Sequence, residues 1–327
     1  MAVTVSMASC SLEEVVEQPT PQAIGFSSFV GKPTKAVTQT EKTNLGSFQV
    51  YGGYATNTSV FEGVSVISND QGSNWNYTNT QYWVPGQSYK FAAMGPTDAL
   101  TGKGTLSFDY GTGHLTLQDY TEANLENSKD IVYAGNVTRT TNSPLETQDY
   151  EAVPFTFGHI MSWIKIKFVH KMTSGYEITV SDVTVTGVQT KGTFNGTDWN
   201  MANPATSATF ENQEPNEDSY NQDDKVLDAE GDNCLVDFIA IPQTVTTLNI
   251  SFKLTVQDDK GAYLVGSDGN SKLFTAQAIN SAVWQKDYVY TYTAELNETV
   301  LDLKPITFTA NVNSWTNTAD GGSLTFN

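Results

Sequence analysis

Arginine is almost missing from this chain: Arg139 is the only one among 327 residues. The formal net charge is −19 and no basic cluster stands anywhere, so little could displace counterions from a phosphate backbone, which excludes nucleic acid as a partner. Cysteine is limited to Cys10 and Cys234, too few for a disulfide scaffold. One bridge between them would tie an N-terminal tail to the second half, and nothing else in the sequence supports it. Cys234, followed by Leu235 and Val236, reads as a small hydrophobe at the start of a strand. The three histidines, His114, His159 and His170, fall on separate segments without the spacing of metal ligands. Neither a glycine-rich phosphate loop after a strand nor a nucleophile elbow is present. No run approaches the roughly 18 apolar residues of a membrane-spanning helix. These absences leave no cofactor or metal to expect, and they set enzymes aside.

What is abundant is Thr, Asn, Ser, Tyr and Gly, with charged residues at only 16%. That composition covers many strands and turns with neutral polar groups, whereas a helical protein carries more Glu, Lys, Leu and Ala. The fold class is all-β. A chain this long divides into two sandwiches, each of about 130–170 residues.

The stretch from Val153 to His170 organises the rest. Ile164, Ile166 and Phe168 alternate with Lys165, Lys167 and Val169, which predicts a strand with one face in a core. Pro154 and Gly158 suggest that the chain turns just before it, at the entrance to a second domain. Earlier, Ile24 and Phe26 share a face of a first strand over Ala23 to Val30. Phe48 and Val50 share a face of the next, where Gly52 and Gly53 permit a bulge. Trp75 and Tyr77 alternate like a strand. Asp109-Tyr-Gly-Thr-Gly113 predicts a hairpin turn, as does Asn195-Gly196. A linker is expected from Asn136 to Tyr150. In the second half, Ile178, Val180, Val183 and Val185 alternate with a shift at Ser181-Asp182, and Leu248 to Val256 alternates throughout.

Several of these pieces together resemble the fimbrillin-like proteins of Bacteroidetes, surface lipoproteins that build or decorate fimbriae. The match rests on Phe157-Gly-His-Ile-Met-Ser-Trp-Ile-Lys-Ile-Lys-Phe168, Tyr82-Trp-Val-Pro85 followed by Tyr89-Lys-Phe-Ala-Ala93, Asp130-Ile-Val-Tyr-Ala134, Ile241-Pro-Gln243 and the ending Ile306 to Trp315. The resemblance implies two transthyretin-like β-sandwich domains in tandem. On this chain they would cover residues 23–152 and 153–327, after a signal remnant and lipoprotein tether over residues 1–22. Met7-Ala-Ser-Cys10 looks like the end of a bacterial lipoprotein signal peptide, which makes Cys10 the lipidation candidate and expects export to the outer membrane and cell surface.

The family also implies assembly by donor-strand addition with other fimbrial subunits, after a protease cuts behind the first strand. Here only Lys32, Lys35 and Lys42 offer basic sites there, so an arginine-specific cut is not expected, and an uncut strand that stays in its own sheet is the competing reading. Donor candidates are Ile306, Phe308, Ala310, Val312 and Trp315 with Leu324 and Phe326 of the tail. A sheet edge lacking one strand exposes unpaired N–H and C=O groups, which an alternating segment from a neighbour satisfies.

Two further readings stay open. The acidic segment 211–232 has enough carboxylates for Ca²⁺, but lacks the glycine register and terminal Glu of an EF-hand, and such runs are more often solvated loops. The six tryptophans, Trp75, Trp83, Trp163, Trp199, Trp284 and Trp315, could stack on sugars if exposed, which is the alternative of a surface glycan-binding lipoprotein that never polymerises. Their places within alternating strands favour core packing for most of them.

Overall fold

The alternating segments become strands, and twenty are present among the described residues, joined by one short helix, α1 (Thr97–Leu100). The computed structural model describes residues 21–30, 45–70, 72–173, 175–202, 207–211, 224–227, 233–267, 270–303 and 306–315. No helix among them is long and apolar enough to cross a membrane. The fold is all-β, as the sequence predicts.

The first sheet contains β1 (Phe26–Val30), β2 (Ser47–Tyr54), β3 (Thr58–Ile67), β4 (Ser88–Gly95), β7 (Val132–Thr140) and β8 (Val153–His159), in the order β1-β8-β7-β4-β2-β3. β1 runs parallel to β8, and the other pairings are antiparallel. A smaller second sheet has the order β12-β11-β6-β5, from β5 (Thr105–Asp109), β6 (His114–Thr121), β11 (Lys191–Phe194) and β12 (Trp199–Met201). The third sheet, β15-β9-β19-β20, is built from β9 (Ser162–His170), β15 (Cys234–Ala240), β19 (Tyr288–Leu296) and β20 (Phe308–Ser314). The fourth is centred on β10 (Tyr176–Gln189) and β16 (Thr244–Asp258). β13 (Ser207–Glu211) and β14 (Asp224–Val226) pair with β10, and β17 (Tyr263–Val265) and β18 (Lys272–Val283) pair with β16.

Sheets three and four close on each other. Ile164, Ile166 and Phe168 of β9 meet Val180 and Val185 of β10 and Ile250 and Phe252 of β16 in one buried cluster, and Lys165 and Lys167 stay half-buried on the opposite face, as the alternation requires. The first sheet buries both faces. Phe48, Val50, Phe91 and Ala93 line one side, covered by Trp75, Tyr77 and Trp83 from the connection before β4. Ala92 and Met94 line the other, against Leu115, Leu117 and Tyr120 of β6. That third cluster continues into Trp163, Ile239, Val289 and Trp315, so the two halves share a core.

Both predicted turns form. Asp109 Oδ1 accepts from the amides of Gly111 and Thr112, and Asn195 Oδ1 accepts from those of Thr197 and Asp198. Register shifts fall at Gly52/Gly53 and between Ser181 and Thr184. Gly53 has a plain reason to be glycine, since a Cβ there would sit 2.0 Å from the Thr58 carbonyl oxygen.

Four expectations change. Asn136–Thr140 is not linker but the second half of β7, where Thr138 and Arg139 pair with Lys90 and Tyr89. Gly158 does not end the strand: it pairs with Tyr133, and His159 pairs with Val132. Pairing in the first sheet therefore runs past residue 152, and the chain crosses to sheet three at Ile160–Met161. Pro154 is tolerated because it stands near the start of β8, where its missing N–H costs little. The hairpin 191–200 joins β6 of the first half rather than a sheet of the second, with Gly192 opposite Tyr120 and Phe194 opposite Leu117. Trp75 and Tyr77 pack as expected but form no strand; Asn76 makes only an isolated bridge with Ile67.

Candidate functional site

The two outer margins that matter are formed by β1 and β20. β1 is five residues long and sits at the edge of the first sheet, each of its residues registered against one from Val153 to Phe157. The segment before it is also held, because the Ile24 amide donates to the Gln81 carbonyl (2.8 Å) and the Tyr77 hydroxyl donates to the Ile24 carbonyl (2.7 Å). Ile24 and Phe26 point inward, as their period-two spacing predicts, and both are buried. The Phe26 ring lies within 5.2–6.4 Å of the rings of Phe48, Phe61, Tyr77, Phe91 and Phe155. Through the Phe26 ring this edge strand caps an aromatic core.

β20 is the edge of the third sheet and pairs antiparallel with β19, from Ala294↔Phe308 to Tyr288↔Ser314. Of the donor candidates, Ile306 is buried, while Phe308, Ala310 and Val312 are half-buried against the core between sheets three and four. Trp315 is buried in the shared core, stacked on His159 at 4.4 Å with the planes 9° apart. These residues are seated in their own sheet.

Comparison with known proteins gives this architecture a family. The family model described as fimbrillin-like matches residues 34–315, well over half of the chain. The chain belongs to the fimbrillin-like family. Solved structures agree on the fold. A fimbrial protein from Bacteroides vulgatus is similar with a TM-score of 0.62 at 18% identity, over 90% of this chain and 99% of that one. A candidate cell adhesion protein from Bacteroides ovatus follows with a TM-score of 0.54 at 15% identity, over 90% and 98%. Among curated proteins, none matches.

In this fimbrillin-like chain the central motif carries one feature that sequence reasoning missed. His159 Nδ1 lies 2.7 Å from Asp130 Oδ2, and both side chains are buried. Burial alone would lower the His159 pKa, but the Asp130 carboxylate overcomes it and raises the value above that of an ordinary histidine. Asp287 stands close enough to add to this, and its own pKa is raised, chiefly by burial. The imidazole is held between a carboxylate and the face of Trp315, and both favour its protonated form. The signal was present, since Asp130 and His159 both stand in the segments that carry the family likeness, but their 29-residue separation hid the pairing.

His170 lies apart, its Nε2 3.0 Å from the Tyr176 carbonyl oxygen. Cys234 is buried at the start of β15, where its thiol donates to the Val236 carbonyl oxygen at 3.3 Å. Among the described residues no group of three or more His, Cys, Asp or Glu could hold a metal ion. None of the six tryptophans is exposed: Trp83, Trp163, Trp284 and Trp315 are buried, and Trp75 and Trp199 are half-buried. Cys10, Lys32, Lys35, Lys42, Leu324, Phe326 and most of the acidic segment 211–232 lie outside the described residues.

Proposed function

We propose that this chain is a fimbrial subunit or fimbria-associated surface lipoprotein, anchored through lipid on Cys10, that assembles with other subunits by strand addition and supports adhesion. The observation that carries the reading is β1. Its removal would strip the parallel ladder from β8 and uncover the rings of Phe48, Phe61, Phe91 and Phe155. Unpaired backbone beside an apolar slot is what a neighbour's alternating strand satisfies. Burying residues such as Ile24 and Phe26 is worth about 1.5–3 kcal/mol each, so an exchanged strand of similar pattern gains as much as the native one gives up. Cleavage at Lys32, Lys35 or Lys42 would free β1 from the rest of the chain.

The donor end follows from β20. Ile306 to Trp315 already fill the chain's own sheet, so a strand that leaves for a neighbour consists of the tail beyond Trp315, with Leu324 and Phe326 as its alternating apolar pair, or else requires β20 to peel from β19. The test is deletion of residues 318–327 with fibres examined by electron microscopy. Loss of polymer is the expected result, and unchanged fibre length overturns the donor role.

A further inference from the structure

A cleft of about 700 Å³ opens where the β11–β12 hairpin meets the end of the second sandwich. We infer that it is a binding site for a short neutral oligosaccharide. The walls are rigid before any ligand arrives. Trp199 donates its indole N–H to the Ile160 carbonyl oxygen at 2.7 Å, and its ring packs on Phe194 and Tyr120. Gln243 is buried, with its amide fixed between the backbone N–H and C=O of Gln189 at 2.8 and 2.9 Å. Trp284 is held by the Tyr292 hydroxyl at 2.8 Å. A preformed cavity of this size is what small-ligand recognition requires, because little ordering remains to be done on binding.

The chemistry of the lining selects the ligand. Trp199, Met201, Val283 and Tyr288 supply ring faces and apolar surface, and Val283 and Tyr288 stand 47% and 37% exposed at its rim. Gln189, Thr244 and Gln285 stand among them with amide and hydroxyl groups. Among the described residues the only charges lining it are Asp198 and Lys286, which neutralise each other across 3.6 Å. A wholly apolar ligand would leave the amides and hydroxyls dehydrated without partners. A charged ligand would find no uncompensated opposite charge. A sugar offers both needed surfaces, since its C–H edges suit the negative faces of aromatic rings and its hydroxyls donate and accept at amides. This cleft differs from a flat exposed tryptophan platform, which the chain does not have.

The proposal is independent of strand exchange, because no lining residue lies on β1, β8 or β20, and a monomer would still bind. It is tested with the full chain on a printed array of neutral and acidic oligosaccharides, followed by calorimetric titration with the strongest neutral hit. Wild type binds neutral structures, and Tyr288→Ala and Gln285→Ala each weaken binding about tenfold or more. Both residues are exposed, so their truncation leaves the fold intact. Tyr263→Ala, on β17 away from the cleft, retains wild-type affinity. Absence of any signal from folded protein, a signal confined to acidic glycans, or equal affinity in Tyr288→Ala and Gln285→Ala overturns the site. Fibre length in the same variants stays that of wild type, which separates this outcome from a failure of assembly.

Discussion

The core beneath β1 is made of rings, and the core of the second sandwich is made mostly of branched aliphatics. In the first, Phe26, Phe48, Phe61, Phe91, Phe155 and Phe157 pack with Trp83 and Tyr89. In the second, Ile178, Val180, Val183, Val185 and Val188 of β10 face sheet three beside Leu248, Ile250, Leu254 and Val256 of β16. β10 and β16 are 14 and 15 residues long, whereas β1 has five. Many small side chains on long ladders spread cohesion over the whole interface, so no single element can leave cheaply. A five-residue strand that sets the Phe26 ring among five others has a far shorter ladder to break. The comparison teaches that the proposed strand exchange falls on β1 rather than on β10 or β16.

The sharpest way to break that comparison is to remove the ring. Phe26→Ala should cost about 3–5 kcal/mol, the range for deleting a buried aromatic side chain, while Ile250→Val in the second core should cost about 0.5–1.5 kcal/mol. Urea unfolding of both variants measures the difference. Near-equal midpoints would mean that β1 is not held by its ring and that the slot beneath it is not a special one.

The next effect lies where the two cores meet. Asp130→Asn should destabilise by about 3 kcal/mol, since it removes one partner of a buried ion pair. The pH dependence has a definite sign. A histidine whose folded pKa is raised contributes stability that is complete below its unfolded value of about 6.5, and this is lost as pH rises through the folded value. Asp287 acts in the same direction, because its raised pKa also makes ionisation with rising pH costly to the folded form. The groups facing His159 are thus Asp130, Asp287 and the Trp315 ring. Wild type should lose melting temperature as pH rises from about 6.5 into the alkaline range, and Asp130→Asn should flatten that slope, because burial, opposed only by Asp287, then sets the imidazole. A wild-type melting temperature independent of pH across this interval would show that the pair is not an ionised one.

The strands themselves were legible because period-two alternation reports burial directly: Ile164, Ile166 and Phe168 fall on the core face, and Ile24 and Phe26 do the same. Turns were legible where glycine and asparagine chemistry demands a conformation, at Asn195-Gly196 and at Asp109 to Gly113. Partner choice was not. Backbone ladders pair any strand with any other, so nothing local told that β1 lies parallel to β8, more than 120 residues later, or that the hairpin 191–200 completes a sheet begun at residue 105. Pro154 and Gly158 looked like a boundary because their usual role is to interrupt strands, and only the pairing of Gly158 with Tyr133 shows otherwise. The cleft was invisible for the same reason, since Trp199 and Tyr288 meet only once β11 and β12 have crossed to β6.

That crossing offers the smallest and most specific test. Gly196 has a φ of +93°, and a Cβ there would come 3.2 Å from the Leu115 carbonyl oxygen of β6. Gly196→Ala should therefore cost about 1 kcal/mol through the left-handed conformation it forces on alanine. The consequence should be local. Asp198 and Trp199 follow directly in the hairpin and line the cleft, so oligosaccharide affinity should fall while the aromatic core beneath β1, on the far face of the first sheet, is undisturbed. Hydrogen exchange would check this by showing faster exchange in β11 and β12 and unchanged protection in β1 and β8. Protection lost equally in β1 would mean that the two faces of the first sheet open together, and the proposed strand exchange would then have to be placed elsewhere in the molecule.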